Sequence, residues 1–192
     1  MSIRYYGNSL ESNIDGKGNP MKRICVFCGS SPGAGLDYVQ VARSRGHALA
    51  EQNISLVYGG ASVGLMGQLA NACLEAGGNV IGVIPRRLVE MELAHKQLAQ
   101  LHVVETMHER KSMMAEMADR FIALPGGLGT IDEIFEVLTW SQLGIHHKPC
   151  GLLNTRQYFD DLLKFLDGGV EQMFIETAHR EMILIDESPT TC

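Results

Sequence analysis

Short apolar runs recur along the chain, and between them apolar positions fall at three- and four-residue spacing. The runs predict strands at 23–28, 55–58, 80–84, 102–105, 120–124, 150–153 and 182–185. The spaced segments predict helices at about 36–52, 64–76, 107–118, 131–143 and 156–167. Strands alternating with helices imply an α/β fold: a Rossmann-like, doubly wound parallel sheet with helices on both faces. No boundary or internal repeat divides 21–192, so a single domain is expected there. In such a sheet ligands bind outside the carboxyl ends of the strands, and each candidate motif can be held to that rule.

The two ends break the pattern. Residues 1–20 are rich in Gly, Asn, Ser and Asp with little periodicity, and are expected to form a flexible extension ahead of Met21, a candidate natural start. Past the last run, Ser188-Pro189 reads as the start of a helix whose body is cut short.

Composition narrows the function. The 192 residues are 45% hydrophobic and 20% charged with a net charge of −6, which argues against a general nucleic-acid or anionic-membrane surface. Any anion must be held locally. The five cysteines are odd in number and scattered, unlike a disulfide framework, and Cys25-x-x-Cys28 lies inside an apolar run, where a buried strand is the better reading than a redox motif. The seven histidines have no metal-ligand spacing, and His146–His147 reads as a solvated pair. No apolar run is long enough to span a membrane and no signal peptide is visible, so a cytoplasmic, reduced protein is expected.

The candidate chemistry lies at strand ends. Residues 121–133, FIALPGGLGTIDE, read as strand, glycine loop and helix start, with Thr130 where the helix should begin. Exposed backbone N–H groups, a positive helix end and absent side chains make Gly126, Gly127, Leu128, Gly129 and Thr130 a candidate phosphate cradle. Glu133 is one turn further on. Thr130-x-x-Glu133 is also the spacing of a capping box, as is Thr106-x-x-Glu109, so Glu133 reads equally as cap or catalyst on spacing alone. After the first strand, Cys28-Gly-Ser-Ser-Pro offers Ser30 to a phosphate or ribose, or is an ordinary turn. After the second, Tyr58-Gly-Gly-Ala-Ser-Val-Gly-Leu-Met-Gly enters a helix; Gly60 is the candidate contact, while Gly64 and Gly67 could instead permit close helix–sheet packing. Arg110 and Lys111 open a helix where its dipole disfavours cations, which suggests an anionic partner. Glu92, in the segment after the third strand, cannot be told from a surface acid by spacing.

Together, Cys28-Gly-Ser-Ser, Gly59-Gly-x-x-x-Gly-Leu-Met-Gly, Met107-x-x-Arg110-Lys111 and Pro125-Gly-Gly-x-Gly-Thr-x-x-Glu133 resemble the Lonely guy family, along nearly all of 21–187. The family comprises cytokinin riboside 5′-monophosphate phosphoribohydrolases, often mislabelled lysine decarboxylases. The resemblance implies hydrolysis of the N-glycosidic bond of a purine nucleoside 5′-monophosphate, giving free base and ribose 5-phosphate. It places Arg110 and Glu133 on the catalytic pair, and Glu92, Lys111, Gly127 to Thr130 and Thr139 on substrate contacts. It also implies a homodimer or higher homo-oligomer with sites near the subunit interface. Two departures stand out: Asp132 replaces a common Glu, and the terminal helix is missing.

The chemistry suits these residues. Glycosidic cleavage passes through an oxocarbenium-like sugar that a carboxylate can stabilise while orienting water. Arg110 would hold Glu133 ionised or bind phosphate or ribose; both readings stand. No cofactor is expected, because a pyridoxal enzyme needs a Schiff-base lysine and only Lys111 falls near the site. Met91, Met107 and Met114 are candidates for a prenyl pocket. The competing readings are a non-catalytic nucleotide binder of the same fold, as in molybdenum-cofactor carriers, and a dinucleotide oxidoreductase, disfavoured because G-x-G-x-x-G is absent.

Overall fold

The computed structural model of the protein describes residues 23–91 and 93–187. Its strands are β1 (Arg23–Phe27), β2 (Ser55–Tyr58), β3 (Val80–Pro85), β4 (Gln100–Val104), β5 (Arg120–Ala123), β6 (Cys150–Leu153) and β7 (Ile183–Asp186). All pair in parallel, in the order β4-β3-β2-β1-β5-β6-β7. The order reverses at β1, which pairs with both β2 and β5, and that is where such sheets bind ligands.

Side chains alternate between faces along each strand, as pleating requires. Ile24, Val26, Leu56 and Tyr58 pack against α1 (Leu36–Glu51) and α2 (Gly64–Glu75). Cys25, Phe27, Val57, Phe121 and Ala123 face the other way, onto α4 (Met107–Met117), α5 (Leu128–Gln142) and α6 (Asp160–Glu171). Strands buried on both faces explain why the runs are continuously apolar rather than alternating. Edge strand β4 is the exception, with His102 and Val103 exposed. Cys25 and Cys28 are buried free thiols, as the buried-strand reading requires.

The predicted elements are found, with three differences. The helix expected at 156–167 is a single 3-10 turn (Thr155–Gln157) followed by α6. The buried Asn154 side chain accepts from Phe159 N–H at 2.8 Å and donates to Asp160 Oδ1 at 2.7 Å, which delays the helix to Asp160. Helix α6 runs past the expected end at 167, through Gly168-Gly169 to Glu171, and Ile175 folds back so closely that a Cβ on Gly169 would meet it at 2.7 Å. Short helices α3 (Arg86–Glu90) and α7 (Thr177–Glu181) complete the chain, and α7 was not foreseen. His146 is not simply solvated: its ring lies 5.4 Å from that of Phe121 and is half-buried. The proposed N-terminal extension and Ser188-Pro189 lie outside the described residues.

Candidate active site

Three glycine-rich loops meet where the strand order reverses. Register aligns Phe27 with Ala123, so the chain leaves β1 and β5 side by side. Past the strands the ladder continues: Leu124 N–H donates to Phe27 O at 2.9 Å and Gly29 N–H to Pro125 O at 3.1 Å. Leu65 N–H, at the start of α2, donates to Gly29 O at 3.0 Å. Gly64 lies against the backbone of Ser30 and Ser31 with φ +57, so a side chain there would strike the first loop. This corrects the expectation for Gly64 and Gly67. Gly64 permits loop–loop contact, and Gly67 makes room for the Ser62 carbonyl of its own loop; neither serves helix–sheet packing.

The glycines of the third loop differ in what requires them. A Cβ on Gly126 would collide with Thr130 Oγ1 and approach Gly29 N to 2.8 Å, so packing demands glycine. A Cβ on Gly127 or Gly129 would meet nothing within 4 Å, and neither residue has a left-handed φ. Nothing in the fold needs glycine at those two positions. Their bareness leaves the start of α5 open, and no side chain caps it. Helix α5 begins at Leu128, with Gly127 as its cap residue, rather than at Thr130. Thr130 is buried within the first turn, and Leu128 is 90% exposed above the loop.

That earlier start excludes the capping role for Glu133. Glu133 lies too far into α5 to reach back to the cap, and instead its Oε1 accepts from Arg110 Nη1 at 2.5 Å. Thr106 does cap α4, accepting from Glu109 N–H at 3.1 Å, while Glu109 accepts from Glu105 N–H at 2.9 Å. Arg110 and Glu133 are both buried. Arg110 Nε donates to Val83 O at 3.1 Å, and its guanidinium occupies space that a Cβ on Gly59 would fill. Burial pushes the Glu133 carboxyl above the usual glutamate range, against the pull of Arg110. The Cys25 and Cys28 thiols are raised by burial foremost and next by Glu133, so they remain protonated and are poor nucleophiles.

Lys111 is buried beside this pair, with Nζ 3.1 Å from Asp132 Oδ2 and 3.0 Å from Glu136 Oε2. Burial alone would lower its pKa, but Glu136 and Asp132 together outweigh that and hold it above the ordinary lysine value. The anions that the two cations of α4 called for are therefore supplied by α5. An amine kept cationic between two carboxylates does not suit a Schiff base. Lys148 Nζ is occupied by Ala115 O at 2.8 Å. Among the described residues, no group of three or more His, Cys, Asp or Glu side chains could hold a metal ion.

The remaining predicted contacts divide. Ser30 is exposed on the first loop, beside the open end of α5. Gly60 is buried with φ +73, and its carbonyl accepts from His95 N–H at 2.9 Å, so it shapes the second loop from beneath. Thr139 is not brought together with the others. It lies six residues beyond Glu133, about 9 Å along the helix axis, in a groove with Phe135, Leu138 and Leu166. Met114 is wholly buried in the core, whereas Met91 and Met107 are exposed. Glu92 lies outside the described residues. Gly59 and Tyr158 were missed as functional candidates. The first was visible in its motif but not the guanidinium it accommodates; Tyr158, whose hydroxyl donates to Gly126 O at 2.7 Å, carried no sequence signal.

Residues 66–192 match the family described as "Possible lysine decarboxylase". The chain is 52% identical over 165 residues to the cytokinin riboside 5′-monophosphate phosphoribohydrolase of Rhodococcoides fascians, covering 85% of this chain and 83% of that protein. It is 49% identical over 163 residues to an Arabidopsis thaliana protein of the same name (LOG2), covering 85% and 76%. Among solved structures, the molybdenum cofactor binding protein of Rippkaea orientalis superposes with a TM-score of 0.67 at 26% identity, over 90% of this chain and 93% of that one.

Proposed function

This chain belongs to the Lonely guy phosphoribohydrolase family, and we propose that it hydrolyses the N-glycosidic bond of purine nucleoside 5′-monophosphates, N6-modified adenine nucleotides foremost, to free base and ribose 5-phosphate. The observation that carries this is a buried, hydrogen-bonded Arg110–Glu133 pair next to a helix start left bare by Gly127 and Gly129.

Each part has a task. The open N–H groups of α5 hold the 5′-phosphate, whose binding energy is remote from the breaking bond and positions the sugar. As the bond between C1′ and the base nitrogen lengthens, positive charge develops on the ribose. The Glu133 carboxylate stabilises that charge and accepts a proton from the water that attacks C1′. Arg110, fixed by Val83 O and Glu133, keeps the carboxylate ionised and aimed. The departing base takes up a proton from solvent, and Glu133 returns the proton it gained to solvent, which restores the carboxylate. Its raised pKa makes the ionised carboxylate a stronger base toward the attacking water. Met91 and Met107, exposed at the same edge, offer apolar surface to an N6 substituent. We further propose a cytoplasmic homo-oligomer, in which the groove around Thr139 faces a second subunit.

The test is to incubate the purified protein with AMP and with isopentenyladenosine monophosphate and to assay free base and ribose 5-phosphate. Release of base from the monophosphate, with little from the nucleoside, is expected. If nucleotides bind and no base is released, the chain is a non-catalytic nucleotide binder of the same fold.

A further inference from the structure

The turn after β6 holds two consecutive non-glycine residues in the left-handed region, Arg156 at φ 54 and Gln157 at φ 59. Asn53 and Met173, the other such non-glycine residues among those described, each stand alone just past a helix. Two adjacent residues held there are strained, and such strain persists only where surrounding contacts over-determine it. Here they do. Asn154 N–H donates to Asp186 O at 2.6 Å, and its side chain bonds Phe159 N–H and Asp160.

What the turn delivers is Tyr158. Its ring meets those of Tyr38 and Phe159 edge-on, at 5.9 and 5.1 Å. It is 45% exposed, so its hydroxyl has water available, yet it donates to Gly126 O at 2.7 Å. A peptide unit is planar, with C=O and N–H opposed. Fixing the Gly126 carbonyl therefore turns the Gly127 N–H away from Tyr158. Gly29 N–H fixes the preceding carbonyl, of Pro125. The two peptide planes leading into α5 are thus each tied by one hydrogen bond, although glycine at 126 and 127 would otherwise let them rotate.

We propose that Tyr158 is a positioning residue for the phosphate clamp: its hydroxyl sets the Gly126–Gly127 peptide in the orientation that binds a phosphate monoester. This rests on the phosphate-binding reading of the glycine loop. The effect should be selective, falling on the phosphate and not on the base.

Isothermal titration of the native protein and of Tyr158→Phe, which keeps the ring contacts, with ribose 5-phosphate and with adenine tests this. Loss of one neutral hydrogen bond to the loop should weaken ribose 5-phosphate about five- to tenfold and leave adenine binding unchanged. The KM for the monophosphate should rise by the same factor with kcat nearly constant. Unchanged ribose 5-phosphate affinity would overturn the proposal, and so would equal weakening of both ligands, which marks general loosening. If the native protein binds ribose 5-phosphate but cleaves no nucleotide, the hydrolase reading fails while the titration still decides the role of Tyr158. If it does not bind ribose 5-phosphate, both readings fall.

Discussion

Gly126 and Gly129, three positions apart at the loop and in the first turn of α5, serve different ends. Gly126→Ala should destabilise the protein, because its methyl meets Thr130 and the β1 loop. Gly129→Ala should stabilise α5 by up to about 1 kcal/mol, yet weaken ribose 5-phosphate binding at least tenfold, because the methyl enters the open space at the helix start. Thermal melts paired with titration separate the two; parallel effects from both variants would refute the division. Glu133 is the second residue-scale case. Glu133→Gln should reduce turnover by about 10²–10⁴-fold while nucleotide binding persists. Glu133 must be ionised to act as base, and burial raises its pKa, so activity falls as pH drops through that raised value. The acid limb of the kcat/KM profile should therefore lie above the ordinary glutamate pKa of about 4.3, and a limb at or below that value would exclude Glu133 as the titrating base.

At the scale of elements, helix ends were where the sequence misled and where one correction is testable. Capping logic held for α4, where Thr106 and Glu109 share the exposed N–H groups, and failed for α5, because an extended Gly127 lets the helix start early. The end of α6 is atypical. Met173 occupies the left-handed position past the cap at φ 61, with Phe174 N–H and Ile175 N–H both donating to Gly169 O. Its side chain is 91% exposed, so little packing is lost on removing it. Met173→Gly should stabilise the fold by about 1 kcal/mol, raising Tm by about 2–4 °C; a lower Tm would show that the side chain is held by contacts. The β-α alternation was legible because the central strands are buried on both faces and read as continuous apolar runs. The 3-10 turn before α6 was not, because it depends on Asn154 and on strain that no local preference supports.

Across the whole molecule, surface and sheet order carry the remaining consequences. Leu128, Leu143, Ile145, Phe165 and Phe174 are each at least 66% exposed, apolar surface available to the second subunit proposed above. Sedimentation equilibrium should give a multiple of the 21.1 kDa chain mass, and a monomer at micromolar concentration would contradict the proposed assembly. Sheet order also explains how distant motifs become one site. The crossover from β4 to β5 carries α4 across the sheet, so Arg110 and Glu133, 23 residues apart, meet beside loops from β1 and β2.

By itself the sequence determined the class of fold and the motifs that stand at the carboxyl ends of the strands, because buried strands, glycine loops and helix starts are local patterns with local causes. Only the tertiary structure decided which of their residues meet. It showed Glu133 bound to Arg110 rather than to a helix cap, Lys111 neutralised by Asp132 and Glu136, Thr139 on a separate groove, and Tyr158 tied to the loop. Each of these turns on which partner lies within about 3 Å, and such distances arise when separate elements pack together.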